Sequence, residues 1–106
     1  MENFIVVLIT CPTREEAERL SKMILSERLA ACVNIISDVY SLFHWHGQID
    51  SADEDLMIVK TRSSLLDKLK IFVQNNHAYD VPEIIALPII GGSDDYLSWL
   101  NSETSV

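Results

Sequence analysis

The feature that most constrains the fold is a long stretch from Ala31 to His46 in which β-branched and aromatic residues dominate. It contains no helix start signal, which predicts one long strand over 33–46. At about 3.3 Å per residue, such a strand spans about 46 Å. A compact domain of 106 residues has a radius of gyration near 13 Å, hence a diameter of about 33 Å. The strand must therefore either bend sharply or project from the body of the domain.

Two-residue alternation along this stretch predicts two apolar faces. One face carries Val33, Ile35, Val39, Phe43 and Trp45, and the other carries Ile36, Tyr40 and Leu42. An exposed ribbon of this kind would be an aggregation site, so we expect another copy of the chain to cover it. Tyr40, Phe43 and Trp45 are the predicted interface residues, with Trp45 as the aromatic anchor. The alternative is a bulge near Ser37–Asp38 that splits the stretch into two ordinary strands.

The first half of the chain predicts a strand, a helix and a hairpin. Residues 3–11 are apolar almost throughout, which indicates a strand buried on both faces, at the centre of a sheet. A capping box of Thr13 and Glu16 then begins a helix. After the long strand, 47–54 predict a turn and 56–61 return as the second strand of a hairpin.

The second half predicts two helices around one strand. Ser63 or Ser64 caps a helix that closes at 75–77. Residues 84–90 form a strand that Pro88 restricts to an edge or a bulge, and Ser93 caps a short last helix. The order β-α-β-β-α-β with an extra C-terminal helix predicts a single α+β domain over 1–106. Its expected arrangement is ferredoxin-like, an antiparallel sheet with two helices on one face.

Charge and hydropathy exclude several classes of partner. The chain has 16 Asp and Glu against 8 Lys and Arg, so it lacks the clustered basic residues that supply nucleic-acid affinity. Its apolar runs, Phe4–Ile9 and Ile84–Ile90, are far shorter than the ~20 residues that span a bilayer. Two cysteines do not make a disulfide framework, and no signal-peptide pattern is visible. We therefore expect a cytoplasmic protein with reduced thiols, bound to neither nucleic acid nor membrane.

Five short motifs occur in order along nearly the whole chain. They are LAACVNI (29–35), Ser41-Trp45-Gly47, E-x-L-x-x-x-K-T (54–61), HAYDVPEIIALP (77–88) and YLSW (96–99). Together they resemble the CutA family of divalent-cation tolerance proteins. The resemblance implies a ferredoxin-like homotrimer, in which the hairpin packs against a neighbour, and binding of copper or another divalent metal ion. The likeness of that architecture to PII signalling trimers implies an alternative, a regulatory or scaffolding trimer that binds a small effector at subunit clefts.

The resemblance also implies metal ligands, namely a cysteine late in the first strand and two adjacent histidines. In this chain Asn76 and His77 occupy the positions of the two histidines. Ile9 occupies the position of the cysteine, and Cys11 follows two residues later on the same strand face. Cys11 precedes a helix N-terminus, which predicts a lowered thiol pKa. Cys32 matches the LAAC cysteine of the family. Its thiolate would be a soft ligand for Cu(I), although a small buried apolar side chain is the simpler interpretation.

A second candidate metal pair lies near the hairpin tip. His44 and His46 are two residues apart, so on a strand their imidazoles face the same side about 6.6 Å apart. Two imidazoles at that distance can share Cu(II) or Zn(II). A solvated tip without a metal is the simpler interpretation.

A candidate ligand cleft follows the second helix. His77, Tyr79, Asp80 and Glu83 cluster there, and Lys60 would join them if its strand neighbours the fourth. The group supplies donors, acceptors and a positive charge, as a ligand cleft requires, although ordinary ion pairs would explain it too. The sequence contains no nucleophile–base pair and no nucleotide fingerprint. We therefore expect a binding protein rather than an enzyme.

Overall fold

Four strands and three α-helices follow one another along residues 3–105, the part of the chain that this computed structural model describes. They are β1 (Phe4–Cys11), α1 (Arg14–Ser26), β2 (Cys32–Trp45), β3 (Gln48–Arg62), α2 (Leu66–Asn76), β4 (Ile84–Pro88) and α3 (Asp94–Thr104). The predicted order of elements is confirmed. The outermost residues of the domain predicted over 1–106, at 1–2 and 106, lie outside the described range.

The strands form one antiparallel sheet in the order β2-β3-β1-β4. β1 lies between β3 and β4, as its apolar residues on both faces predicted. β4 is an edge strand that ends at Pro88, so the predicted strand over 84–90 is two residues too long. Proline has no N–H for a ladder hydrogen bond, although Ile89 N–H still donates to the Phe4 carbonyl (2.9 Å).

The core lies between one face of the sheet and helices α1 and α2. Buried side chains there come from β1, β3 and both helices: Ile5, Val7, Ile9, Met57, Val59, Ala17, Leu20, Ile24, Leu69 and Val73. Thr13 caps α1 by accepting from Glu16 N–H (3.2 Å), as predicted. The predicted cap of α2 at Ser63 or Ser64 is wrong, because these residues form a 3-10 turn and α2 begins at Leu66 without a side-chain cap. None of the helices within residues 3–105 is both long and apolar enough to cross a membrane.

The hairpin turn is much tighter than the sequence suggested. Strand β3 begins at Gln48, so the predicted turn over 47–54 is wrong. The connection consists of His46 and Gly47, which have positive φ angles of 51° and 76°. Two consecutive residues with positive φ match the right-handed twist of the flanking strands. The polar residues after Gly47 extend as a strand because they pair with β2 outside the body of the domain. We call this outer part of the β2–β3 hairpin the ribbon, and both of its faces meet solvent.

A bulge in β2 changes which residues share a face. Ile36 is opposite Leu56, but the next pair is Val39 with Glu54, so Ser37 and Asp38 together oppose Asp55. Asp38 has a φ of 64°. One extra residue reverses the alternation beyond it.

The predicted faces of the ribbon are therefore wrong beyond the bulge. Val39, Phe43 and Trp45 continue the face of Ile36, which points away from α1 and α2, whereas Tyr40 and Leu42 continue the face of Val33 and Ile35. The bulge anticipated near Ser37–Asp38 is present, but it does not split the stretch into two separate strands.

The ribbon projects from the body of the domain. The chain measures 44 × 25 × 23 Å, and its radius of gyration of 14.4 Å exceeds the value of about 13 Å typical of this length. Tyr40, Phe43 and Trp45 are 65%, 38% and 57% exposed in the single chain. The sheet face opposite α1 and α2 is also apolar, with Ile85 and Leu87 half-exposed.

Candidate functional site

Two sulfur atoms and one imidazole converge at the carboxyl end of β1. Cys11 Sγ lies 3.5 Å from Met57 Sδ and 3.6 Å from His77 Nε2. Cys11 and Met57 share the helix-covered face of adjacent strands, and His77 follows the last residue of α2. The sequence placed Cys11 on the appropriate strand face for His77, and the structure brings the two together. Met57 was missed because its apolar neighbours make it look like an ordinary core residue.

Hydrogen bonds to backbone atoms hold the His77 ring at both nitrogens. The Tyr79 N–H donates to Nδ1 (2.9 Å), so Nδ1 carries no proton. Nε2 then carries the proton and donates to the Thr10 carbonyl (2.8 Å). These two hydrogen bonds orient the imidazole and tie the loop after α2 to the end of β1.

The Cys11 thiol is protonated at neutral pH. Burial, with added repulsion from Glu16, Asp55 and Glu54, raises the pKa of Cys11 to about 11, and Arg19 offsets only part of this. The predicted lowering of this pKa is wrong, because burial and the surrounding carboxylates outweigh the adjacent helix N-terminus.

This raised pKa predicts a loss of stability in alkali. A group whose folded-state pKa lies above its unfolded value contributes stability that is complete below the unfolded pKa and lost as pH rises through the folded pKa. For Cys11 that window runs from about pH 9 to about pH 11. Urea unfolding midpoints should fall over this range in the parent chain and fall less steeply in Cys11→Ser. Tyr79 titrates later, because its pKa is raised to about 12 by burial and by its hydrogen bond to Glu54. Equal slopes for parent and variant would contradict the prediction.

A groove of about 890 Å³ opens beside this cluster, between the base of the ribbon and the loop after α2. Tyr79, Asp80 and Glu83 of the predicted cleft line it, together with Phe43 and Trp45 of the ribbon. The Tyr79 hydroxyl donates to Glu54 Oε2 (2.9 Å). Glu54 was missed, because the sequence placed it in a turn. In the structure Glu54 lies within β3 and is only 8% exposed.

Lys60 does not reach the cleft, contrary to the prediction. β1 separates β3 from β4, so the strand of Lys60 does not neighbour β4, which begins directly after Glu83. The Lys60 Nζ instead lies 5.8 Å from the centroid of the Tyr96 ring in α3.

The other predicted metal ligands lie apart from Cys11 and His77. Cys32 is opposite Lys60 on β3, whereas Cys11 is opposite Asp55. Five residues of strand separate these positions, about 17 Å. The two cysteines therefore lie in different parts of the sheet.

The histidines at the tip do not share a strand face. His44 is on β2 opposite Ile49, but His46 is in the turn, where its ring meets Trp45 edge-on with 4.6 Å between ring centroids. The alternation that predicted a common face applies only within a strand. Over residues 3–105, no three His, Cys, Asp or Glu side chains gather as a metal-binding group.

Comparison with known proteins places the chain in a family. The family model described as CutA1 divalent ion tolerance protein matches residues 5–103. Protein CutA, chloroplastic, from Arabidopsis thaliana is 53% identical over 94% of the chain, and the match spans 55% of that relative. The divalent-cation tolerance protein CutA of Thermus thermophilus is 46% identical over 93% of the chain and 96% of its own length. The chain thus spans about half the length of the plant relative and nearly all of the bacterial one.

Solved structures agree with these sequence matches. The crystal structure of CutA1 from Oryza sativa has a TM-score of 0.95 and 50% identity, covering 97% of this chain and 94% of that one. The Thermus thermophilus divalent cation tolerance protein has a TM-score of 0.93 and 46% identity, covering 99% of this chain and 100% of that one. The resemblance carried by the five motifs is confirmed, and the chain belongs to the CutA1 divalent ion tolerance protein family.

Proposed function

We propose that this chain is a homotrimeric copper-binding protein that serves in divalent-cation tolerance, by binding rather than by catalysis. The observation that carries the metal part is the convergence of Cys11, Met57 and His77. Membership of a family named for divalent ion tolerance supports the role. Both cysteines are free thiols, which supports the cytoplasmic, reducing setting that we include in the proposal.

The exposed ribbon supports assembly. Aromatic side chains that are largely exposed in one chain, next to a half-exposed apolar sheet face, form a surface that soluble proteins normally cover. β2 and β4 are the two edges of the sheet. Contacts between unlike surfaces of successive copies give a ring when the rotation from one copy to the next closes. The resemblance to CutA implies that the ring has three members. The antiparallel order β2-β3-β1-β4 supports the ferredoxin-like arrangement that belongs to the same proposal.

The donor set at Cys11 fits a soft metal ion. Thiolate and thioether sulfur select Cu(I), and imidazole is a ligand for copper in general. Hard divalent ions prefer several oxygen ligands, which this cluster does not present. As the chain stands, Cys11 keeps its thiol proton and the proton of His77 Nε2 points at the Thr10 carbonyl. To bind copper, Cys11 must lose its thiol proton, and the His77 proton must move from Nε2 to Nδ1 at the expense of the hydrogen bond from Tyr79 N–H. Binding should therefore release one proton per copper ion, from Cys11, and strengthen as pH rises.

Two measurements on the unaltered chain test the proposal. Light scattering should give three copies of the 12.0 kDa chain, about 36 kDa, rather than one. Equilibrium dialysis against copper held in the Cu(I) state with ascorbate should show uptake of one ion per chain. A lone folded subunit in dilute buffer would contradict the assembly. No uptake at copper concentrations well above micromolar would contradict the metal function.

A second candidate function is a regulatory trimer that binds a small effector. The groove favours it, because Tyr79, Asp80 and Glu83 line a concave space of ligand size together with two aromatic side chains of the ribbon. A thermal-shift screen against nucleotides, anions and amines tests this candidate, since a ligand that binds only the folded state raises the melting temperature. A flat screen would count against it.

A further inference from the structure

An arginine on α1 holds the end of α2 from outside that helix. The last carbonyls of an α-helix have no partner within the helix, and a positive charge near them is stabilising. The last turn of α2 carries no basic residue of its own. Arg19 supplies one from α1, because its Nη2 atom donates to the carbonyl of Asn76, the last residue of α2 (2.7 Å). His77, a ligand in the proposed copper site, is the next residue along the chain.

The same arginine is held in place by the start of its own helix. Arg19 Nη2 also donates to Glu16 Oε2 (2.8 Å), about one turn earlier on α1. Glu16 belongs to the cap of α1, where its N–H donates to the Thr13 hydroxyl (3.2 Å). Thr13 is two residues after Cys11. A path of hydrogen bonds thus runs from beside one proposed copper ligand to beside the other, within a single chain and through helices rather than the ribbon.

This path matters most when the His77 ring gives up its own hydrogen bonds. In the structure the Thr10 carbonyl at Nε2 and Tyr79 N–H at Nδ1 orient the ring. Nε2 lies 3.6 Å from Cys11 Sγ, so it is the nitrogen placed to share a metal ion with the sulfur. A metal-bound Nε2 has no proton to donate, and a protonated Nδ1 cannot accept from Tyr79 N–H. Both ring hydrogen bonds are therefore lost on binding, whereas the bond from Arg19 to the end of α2 does not involve the ring.

We propose that Arg19 is a positioning residue of the copper site, which holds the end of α2 against α1 so that His77 stays beside Cys11 when copper is bound. The inference rests on the copper binding proposed above and adds a residue on which that binding depends. Arg19 acts through His77, because its hydrogen bond goes to the carbonyl of the preceding residue and not to the ring. Without that bond, the segment that carries His77 has to be ordered when copper binds, and the entropy lost in this ordering lowers the affinity.

Competition with a coloured Cu(I) chelator, on the assembled full-length chain, measures the effect. Arg19→Leu keeps an aliphatic side chain of good helix propensity, removes every donor, and adds no atom that binds copper. It should weaken Cu(I) binding about tenfold, which corresponds to the cost of ordering about one residue. Arg14→Leu is the matched control, since Arg14 is an exposed arginine of α1 that bonds to Glu18 and Ser37 rather than to α2. It should change the affinity less than about twofold.

A double-mutant cycle with His77→Ala separates positioning from a general effect on the fold. If Arg19 acts through His77, adding Arg19→Leu to His77→Ala has nothing further to weaken, and the single and double variants should bind copper equally. Arg19→Lys keeps the positive charge and a donor, so it should recover part of the affinity that Arg19→Leu loses. If His77→Ala does not fold, X-ray absorption on the copper-loaded chains replaces the cycle. It should report an imidazole ligand in the parent chain and a weaker imidazole signal in Arg19→Leu.

Three outcomes would overturn the inference. They are equal affinity in Arg19→Leu and Arg14→Leu, a further tenfold loss when Arg19→Leu is added to His77→Ala, and no copper uptake by the parent chain. The last outcome also contradicts the proposed copper function, whereas the first two leave that function intact. Where X-ray absorption replaces the cycle, an unchanged imidazole signal in Arg19→Leu overturns the inference in the same way as the second.

Discussion

Replacing Tyr40 and Trp45 together by glutamate should convert the assembly into single chains. Light scattering should then report the 12.0 kDa chain in place of a species of about 36 kDa. The two side chains lie on opposite faces of the ribbon, so the double variant affects an interface on either face. Aromatic anchors in an interface contribute about 2 kcal/mol or more each, so their joint loss should weaken association about a thousandfold. A glutamate left in an apolar interface adds to this loss, because its charge must be desolvated.

The matched control for this variant is Ile71→Glu. Ile71 is an apolar side chain that is 60% exposed, similar to Tyr40 and Trp45, but it lies on α2 and away from the ribbon. It should leave the mass unchanged. If the ribbon variant keeps the mass of the parent chain, the interface lies elsewhere, and if the control also dissociates, general loss of solubility explains both results.

Replacing Cys11 by serine should abolish Cu(I) binding. The hydroxyl is close in size to the thiol, but its hard oxygen is a poor ligand for Cu(I). Competition with a coloured Cu(I) chelator should show a loss of affinity of at least about a hundredfold. Met57→Leu should cause a smaller loss, because it removes the thioether and leaves the thiolate and the imidazole in place.

Cys32→Ser is the control for copper binding. Cys32 is the second free thiol of the chain, but it lies opposite Lys60 at the start of β2, about 17 Å along the strands from Cys11. It should keep the affinity of the parent chain. Loss of binding in Cys32→Ser with retention in Cys11→Ser would move the metal to the LAAC cysteine. Loss only in a His44→Ala, His46→Ala double variant would move it to the hairpin tip.

The order of elements and the resemblance to the family were both accessible from local patterns. The capping box at Thr13, the apolar run of β1 and the long stretch after Ala31 are each signals that a few neighbouring residues carry. The projection of the ribbon also followed from arithmetic, because a strand of this length exceeds the diameter of the domain. The polarity of residues 47–54 was a poorer guide. It predicted a turn where the structure has a strand, because a strand outside the body of the domain needs no apolar face.

The candidate site depended on tertiary structure. Met57 meets Cys11 through the pairing of β1 with β3, and Lys60 misses the cleft because β1 lies between β3 and β4. The bulge at Ser37–Asp38 had the largest effect, since it places Phe43 and Trp45 on the face of Glu54.

By itself, the sequence determined which segments are strands and helices, which family the chain belongs to, and that the ribbon is too long for its own domain to cover. Only the tertiary structure decided which side chains face one another. The physical reason is that side chains alternate with a period of two, so a single inserted residue reverses every facing position beyond it. Whether a strand absorbs such a residue depends on its pairing partner, which local sequence does not specify.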